Sequence, residues 1–223
     1  MSDIGLQGKI ELSGWKRREH FEHFRNLENP FWSLVVDVDC TAAAAAAKSC
    51  GCSFFLLYLH ASLKAANAVP EFGWRLIGDE VRCYGPLHAS ATIMREDETF
   101  GCCFIEYQPD FKEFAANAQH QIELVKSRSG MCLENDMRND QIYYSSLPWL
   151  KFSALTFAGN LKNDSTPKII FGRSSDQADK KLMPVALQVH HALVDGLQVA
   201  RFFDLFQQAL NECRTRPELV VGT

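Results

Sequence analysis

The chain has 223 residues, of which 47% are hydrophobic and 22% charged, a composition typical of a globular protein with a substantial core. Its formal net charge of −4 argues against a nucleic-acid binder that relies on phosphate contacts, because such a protein needs a basic excess. No apolar run reaches membrane-spanning length, and the start resembles no signal peptide, so we expect a cytoplasmic protein without membrane contact.

Short strands and helices are interspersed along the first 127 residues. Ser13 and Ser53 are candidate helix N-caps, since a serine hydroxyl can accept from the free backbone N–H groups of a first turn. The six alanines from Ala42 to Ala47 favour a short helix, because alanine is the best helix former. The elements predicted here are strands at 9–12, 34–39, 72–77, 81–84, 89–94 and 100–107, and helices at 15–26, 41–48, 54–67 and 111–127.

The rest of the chain predicts more strands and a final helix. Residues 182–189 form a strongly apolar strand, and from Asp195 to about residue 213 the apolar period becomes helical. Without repeats, linkers or composition breaks, the sequence predicts one α+β domain over residues 1–223, with eight or nine strands and five helices. The other predictions are strands at 142–146, 149–157 and 168–171, loops at 128–139 and 159–167, and a charged turn at 174–181.

The eight cysteines do not form two matching Cys-x-x-Cys pairs, so a structural zinc site is not expected. Nothing in the sequence implies an oxidising compartment, which favours reduced and mostly buried thiols. The alternative is that Cys50 and Cys52 form a metal or redox pair.

The most specific motif of the chain is His190-His191-Ala192-Leu193-Val194-Asp195-Gly196, at the junction of the apolar strand and the last helix. At average residue frequencies, two histidines followed at this spacing by Asp-Gly occur by chance in roughly one chain in a few thousand. Because neighbouring side chains of a strand point to opposite faces, at most one of the two histidines points into a given pocket. Histidine titrates near neutral pH, which suits a general base.

Two interpretations of Asp195 remain open from the residues alone. Its carboxylate can orient a histidine as in a catalytic triad, or it can cap its helix and pair with a distant arginine. The non-catalytic alternative is two packed histidines and a helix cap. A metal site is not expected, because no third ligand falls at a suitable spacing.

These residues resemble the signature of the chloramphenicol acetyltransferase family, which is shared with the catalytic domains of dihydrolipoamide acyltransferases. The second likeness is weaker because the chain contains no lipoyl segment. The residues that carry the likeness are His190 to Gly196, Lys9-Ile10 through Phe21, Pro70-Glu71-Phe72, Glu98-Thr99-Phe100, Ser145 through Trp149, and Met183-Pro184 through Phe203.

The resemblance implies a single-domain two-layer sandwich with a mixed β-sheet, assembled as a homotrimer with active sites between subunits. It implies acetyl-CoA as co-substrate, a small-molecule hydroxyl acceptor and no metal. The family's catalytic base matches His191, and its oxyanion-stabilising serine matches Ser145. An Asp-Arg pair of the family matches Asp195 and Arg17, which we interpret as structural support for the loop that presents His191.

Three positions depart from the family's pattern. An acceptor-pocket tyrosine matches Phe24, a threonine that positions a water matches Ile170, and an aromatic that packs on the coenzyme adenine matches Ser174. The coenzyme-binding positions that are kept match Trp149 and Arg173, although a Trp after Pro is also typical of core packing.

The resulting hypothesis is an O-acetyltransferase for which chloramphenicol is the first candidate acceptor. Phe24 and Ile170 are the two candidates for the acceptor pocket. Because both lack the hydroxyl groups of the family, one alternative is another acyl group or acceptor. A second alternative is a non-catalytic trimeric binding protein.

Overall fold

The computed structural model describes residues 3–133, 138–161 and 164–213. Within these ranges it has ten strands, five α-helices and two short 3-10 turns, at Leu12–Gly14 and Pro70–Gly73. The strands are β1 (Leu6–Lys9), β2 (Phe31–Asp39), β3 (Trp74–Ile77), β4 (Glu80–Tyr84), β5 (His88–Met94), β6 (Phe100–Ile105), β7 (Gln141–Leu147), β8 (Lys168–Gly172), β9 (Ser175–Gln177) and β10 (Lys180–His190). The helices are α1 (Arg18–Arg25), α2 (Thr41–Cys50), α3 (Phe54–Asn67), α4 (Phe111–Ser127) and α5 (Gly196–Glu212).

The main sheet has the strand order β2-β10-β8-β7-β5-β6, with β9 paired to the start of β10. Strand β7 runs parallel to both β5 and β8, and the other pairs are antiparallel, so the sheet is mixed. The other three strands form a small antiparallel sheet in the order β1-β4-β3.

Helices cover one face of the main sheet. Alternate residues of β10, namely Val185, Leu187 and Val189, are buried in the core with Ile169 and Phe171 of the neighbouring strand β8. Helices α2, α4 and α5 pack on the strands, and α3 packs against α5. The layer of helices on a layer of mixed sheet confirms the predicted two-layer α+β fold.

The opposite face of the sheet has no helix among the described residues. It carries Ser145, Ile170 and Ala186, which are aligned across β7, β8 and β10. Ser145 and Ile170 are only half-buried, whereas their strand neighbours Tyr144 and Phe171 lie in the core. We call it the uncovered face because no described helix packs on it, although Ala186 is fully buried there. The predicted oxyanion serine lies on this face.

Helix boundaries were predicted well where a side chain caps the first turn. Helix α3 spans the predicted residues, and the Ser53 hydroxyl accepts from the Leu56 backbone N–H at 3.4 Å. Helix α4 also spans the predicted residues, with the Asp110 carboxylate accepting from two backbone N–H groups of its first turn.

Several local predictions were wrong. The first strand covers Leu6–Lys9 rather than 9–12, residues 149–157 form no strand, and part of the expected turn at 174–181 forms β9. Helix α1 begins at Arg18 rather than Trp15, because the Trp15 backbone is extended and its indole packs on Trp74 at 5.5 Å. The Ser13 hydroxyl therefore caps no helix and contacts Glu11 instead.

The expectation of fully reduced and mostly buried thiols was also wrong. Cys102 and Cys132 form a disulfide with a Cα–Cα distance of 4.9 Å, and only Cys40 and Cys103 of the six free cysteines are buried. Strand alternation sends Cys103 into the core and Cys102 to the uncovered face. There the Cys102 backbone N–H donates to Met131 O at 2.7 Å, which brings the following residue, Cys132, alongside.

The described ranges contain no cluster of three or more His, Cys, Asp or Glu residues that could hold a metal ion. No helix in the part of the chain that the structure describes is both long enough and apolar enough to cross a bilayer.

Candidate active site

The two histidines of the motif lie where β10 passes into α5. His190 is the last residue of the strand and pairs with Phe31 of β2. The His191 backbone N–H donates to Pro30 O at 2.8 Å, and the N–H groups of Leu193 and Val194 both donate to His190 O. This tight turn fixes the backbone on both sides of the His191 side chain.

His190 is a packed residue. Its side chain is 3% exposed, and its ring meets Phe31 edge-on at 5.2 Å. Burial lowers the pKa of His190 to about 4; Asp164 opposes the shift, while His191 and Arg25 add to it. The imidazole of His190 is therefore neutral near pH 7.

His191 is held between aromatic rings. Phe24 stacks face to face on the imidazole, with a ring-centroid distance of 3.8 Å and an interplanar angle of 10°. Trp32 packs on the imidazole at 5.5 Å. The His191 Nδ1 atom lies 3.2 Å from Asp195 Oδ1, so Nε2 is the nitrogen that remains to meet a substrate. The side chain is 32% exposed, which leaves the ring accessible.

Asp195 contacts both of its candidate partners, the histidine of the motif and the distant arginine. Besides His191, its carboxylate binds both terminal nitrogens of Arg17, the residue that precedes α1. Partial burial alone raises the pKa of Asp195, but the hydrogen bond and charge of Arg17, together with His191, lower that pKa below its ordinary value. The carboxylate is therefore ionised at neutral pH. Its ion pair links Asp195 to Arg17, which lies 178 positions earlier in the chain.

Two further residues support this turn and were not predicted. The Trp32 indole N–H donates to Val194 O at 3.1 Å, and Gln198 Oε1 accepts from the Asp195 backbone N–H at 3.0 Å. The spacing of Asp195 and Gln198 matches a capping box, so the sequence did contain a signal for Gln198. The role of Trp32 depends on the register of β2 against β10, which the sequence alone does not reveal.

Ser145 lies on a different part of the molecule, in the middle of β7. Its Oγ atom is 2.8 Å from Oγ1 of Thr92 on the neighbouring strand β5. Ile170 is the register partner of Ser145 on β8, so the two side chains share the uncovered face. Thr92 was not singled out from the sequence, because parallel strand register leaves no local sequence signal.

A single chain keeps Ser145 and His191 apart. Ser145 is aligned through Ile170 with Ala186, five residues before His191. At about 3.3 Å per residue and 4.8 Å per strand, the two catalytic candidates are separated by roughly 19 Å. Of the two acceptor-pocket candidates, Phe24 lies with His191 and Ile170 with Ser145.

The coenzyme-binding candidates lie beyond the ends of β7 and β8. Trp149 is 54% exposed and its neighbour Leu150 is 57% exposed, so Trp149 is not a core residue. The Arg173 backbone N–H donates to Leu150 O at 2.7 Å, which joins the two segments, and the Arg173 side chain is exposed. The apolar surface of Trp149 and Leu150 thus lies beside the positive charge of Arg173.

Known proteins resemble this chain in both sequence and fold. Residues 7–207 match the sequence model of the chloramphenicol acetyltransferase family. A chloramphenicol acetyltransferase of Escherichia coli is 29% identical over 205 residues, which cover 91% of this chain and 93% of the relative. A chloramphenicol acetyltransferase 2 of the same organism is 30% identical over 202 residues, which cover 89% and 94%.

Solved structures agree with the sequence comparison. A chloramphenicol acetyltransferase structure superposes with a TM-score of 0.85 and 30% identity, covering 91% of this chain and 99% of the other. The dihydrolipoamide acetyltransferase of Azotobacter vinelandii superposes with a TM-score of 0.65 at 19% identity, a likeness of fold. The chain therefore belongs to the chloramphenicol acetyltransferase family, whose members are acyltransferases.

Proposed function

We propose that this enzyme transfers the acetyl group of acetyl-CoA to a hydroxyl group of a small molecule, with His191 as the general base. The observation that carries the proposal is the His191 ring, which is stacked on Phe24, oriented by Asp195 and still accessible to solvent. No acyl-enzyme is needed, because the activated acceptor oxygen attacks the thioester carbonyl directly.

The surroundings of His191 suit a base. With Nδ1 facing the Asp195 carboxylate, Nε2 can accept the proton of the acceptor hydroxyl. The imidazolium that forms is stabilised by the Asp195 carboxylate and by the face of the Phe24 ring. Arg17 holds Asp195 in place for this interaction.

Ser145 is proposed to stabilise the oxyanion that develops on the thioester carbonyl. When the Thr92 hydroxyl donates to Ser145 Oγ, the Ser145 hydroxyl is free to donate to this oxyanion. A missing donor of this kind costs about 2.7–4 kcal/mol of transition-state stabilisation.

The separation of His191 from Ser145 favours an active site made by two subunits. Base and oxyanion donor must both lie within hydrogen-bonding distance of the reacting groups, and about 19 Å is too far for that. Ser145 and Ile170 are half-buried on the uncovered face, and we propose that His191 of another copy reaches Ser145 there. We therefore propose a homotrimer with sites between subunits, as the family resemblance implies, located in the cytoplasm.

For the coenzyme we propose the surface formed by Trp149 and Arg173. An exposed indole can pack on the pantetheine arm or the adenine ring, and a guanidinium group can bind a phosphate. Ser174 offers no aromatic ring there, so Trp149 is the main apolar contact of this surface.

Chloramphenicol is the first acceptor to test, because the relatives described above are named for it. Phe24 and Ile170 supply no hydroxyl group to the acceptor side, which favours a second candidate function, acylation of a different and less polar alcohol.

The test is a thiol-release assay with acetyl-CoA and a panel of hydroxyl acceptors that includes chloramphenicol. We expect release with at least one acceptor, loss of at least about a thousandfold in His191→Ala, and loss of about a hundredfold or more in Ser145→Ala. Full activity of His191→Ala would refute His191 as the base. No release with any acceptor, combined with no coenzyme A binding in calorimetry, would favour a non-catalytic binding protein.

A further inference from the structure

The Cys102–Cys132 disulfide lies beside Ser145 and has no part in the reaction as described so far. Cys102 of β6 is aligned directly with Thr92 of β5, and the Thr92 hydroxyl is 2.8 Å from that of Ser145. Side chains of aligned residues share a face of the sheet. The disulfide therefore lies on the uncovered face, one strand away from the Thr92–Ser145 pair.

The distance suits a thiol that is bound at Ser145. Directly aligned Cβ atoms of antiparallel strands are about 5 Å apart, so the disulfide is roughly 8 Å from Ser145 Oγ. A thioester whose carbonyl oxygen meets Ser145 has its sulfur within about 6 Å of the same hydroxyl. A modest shift of the coenzyme arm therefore brings the coenzyme sulfur into contact with the disulfide.

The disulfide is also accessible and has a favourable leaving group. Cys132 lies between Met131 and Leu133, which are 61% and 54% exposed, and an open cleft of about 1510 Å³ is lined in part by Arg128 and Met131. The Arg128 guanidinium donates to Cys102 O at 2.7 Å. A positive charge at this position stabilises a thiolate released on Cys102.

We propose that the Cys102–Cys132 disulfide is a site of thiol–disulfide exchange with coenzyme A, the thiol product of the reaction proposed above. The coenzyme A thiolate attacks Sγ of Cys132, the Cys102–Cys132 bond breaks, and Cys102 leaves as a thiolate that takes up a proton. The products are a mixed disulfide between coenzyme A and Cys132 and a free Cys102 thiol. Attack of the Cys102 thiolate on Cys132 Sγ reverses the modification: the protein disulfide forms again, the mixed disulfide breaks, and coenzyme A leaves as a thiolate that takes up a proton.

The modification acts on the acceptor side of the site. A coenzyme arm attached to Cys132 lies against the Thr92–Ser145 pair and competes with the acceptor for that face. Accumulated free coenzyme A therefore slows acetyl transfer, and an excess of dithiol reductant restores it.

Intact-protein mass spectrometry tests the exchange without requiring activity. The protein purified without reductant is expected to have six free thiols among its eight cysteines. Incubation with free coenzyme A adds the mass of one coenzyme A, at a rate at least about tenfold above that of glutathione at equal thiolate concentration, because the coenzyme is bound first. Coenzyme A without its thiol group slows the exchange by competition.

Matched variants locate the modification. Cys132→Ser abolishes the coenzyme A adduct, whereas Cys50→Ser, which removes a free thiol at the end of α2, leaves it unchanged. Circular dichroism of both variants checks that they fold. Eight free thiols in the purified protein, an adduct that persists in Cys132→Ser, or equal rates for coenzyme A and glutathione would overturn the proposal.

The outcome separates this proposal from the proposed function on which it rests. If the enzyme transfers acetyl groups but exchanges with coenzyme A and glutathione at equal rates, the exchange site is wrong and the acetyltransferase function still holds. If the disulfide exchanges faster with coenzyme A than with glutathione but no acceptor is acetylated, the exchange site is supported and the acetyltransferase function is wrong.

Discussion

His191 owes its orientation to contacts from distant parts of the chain. Phe24 and Arg17 come from the N-terminal segment, Trp32 from β2, and Asp195 from the motif itself. The position of the imidazole therefore depends on the Arg17–Asp195 ion pair as much as on the motif.

Breaking this ion pair is expected to reduce activity. Arg17→Met and Asp195→Asn should each lower kcat/KM by about ten- to a hundredfold, which corresponds to about 1.4–2.7 kcal/mol. The double variant should lose less than the sum, because both changes remove the same interaction. Steady-state kinetics of the double-mutant cycle measures this coupling.

The exposed pair of Lys64 and Glu212 provides the control, since both side chains are about half exposed and such pairs contribute little. Lys64→Met should leave kcat/KM unchanged. Strictly additive losses in the Arg17–Asp195 cycle would mean that the two residues act independently.

His190 makes stability depend on pH. Its pKa is lowered to about 4 in the folded state, whereas in the unfolded chain it has the ordinary value of 6.5. Between these values only the unfolded chain binds the proton, so stability is full above pH 6.5 and falls as the pH decreases to 4. The contribution lost is on the order of 3 kcal/mol.

Urea unfolding between pH 4 and 7.5 checks this prediction. His190→Gln should be less stable at pH 7 and have a shallower slope between pH 4 and 6.5 than the parent protein. His120→Gln, at an exposed histidine, should have the parent slope. Parallel curves for His190→Gln and the parent would contradict the assignment.

The sequence predicted most members of this cluster, Trp32 excepted, and one of its contacts, the Arg17–Asp195 pair that the family resemblance implied. The rarity of the motif was enough to select His190, His191 and Asp195. Strand alternation assigned the two histidines to different faces, but left open which of them faces a site. The stacking of Phe24 and the packing of Trp32 depend on how α1 and β2 lie against β10, which no local pattern encodes.

At the scale of elements, the parallel pairing of β7 with β5 and β8 surrounds Ser145. The register aligns Ser145 with Ile170 on one side, and the Thr92 hydroxyl contacts it from the other. A shift of one residue in either pairing would turn a core residue toward the substrate.

Removal of the Thr92 hydroxyl should therefore affect turnover. Thr92→Val is expected to lower kcat by about three- to tenfold, the equivalent of one hydrogen bond, with little change in the KM for acetyl-CoA. Thr92→Ser keeps the hydroxyl group and should recover most of the activity. Equal kcat values for Thr92→Val and the parent would show that Ser145 needs no orientation by Thr92.

An N-cap residue predicted a helix start at one of two positions. Ser53 indicated the start of α3, whereas Ser13 caps no helix and contacts Glu11. Alternation at 149–157 indicated a strand. The Leu150 N–H instead donates to Leu147 O across a turn formed by Pro148 and Trp149, and the residues that follow form no strand. The short strand β9 exists because β10 begins early enough to pair with it.

At the scale of the whole molecule, one chain carries two separate halves of the proposed active site. One half contains His191, Phe24 and the Arg17–Asp195 pair, and the other contains Ser145 with Thr92 and Ile170. The sequence could supply the residues of both halves, but not their separation, which follows from the order of β7, β8 and β10 in the sheet.

Subunit mixing tests the proposed assembly. Equal amounts of His191→Ala and Ser145→Ala, unfolded and refolded together, should recover about a quarter of wild-type activity, since one site in four receives both intact residues. A mixture of His191→Ala with Asp195→Asn should be no more active than the mean of the two separate variants, because both changes affect the same half-site of every subunit. Activity no higher than the mean of the separate variants in the first mixture would place both residues within one chain.

Strand β10 is the last strand in the sequence but lies inside the sheet, between β2 and β8. During synthesis, residues 31–39 and 168–172 leave the ribosome before residues 180–190 do. Until β10 arrives, both neighbours present open hydrogen-bonding edges, to which strands of other nascent chains can add. His191 and Asp195 follow directly after β10, so a chain that stops before residue 180 lacks both the strand that joins β2 to β8 and the proposed base. Slow translation near the 3′ end of the message should therefore lower the yield of active enzyme through aggregation, while each molecule that completes the sheet is fully competent.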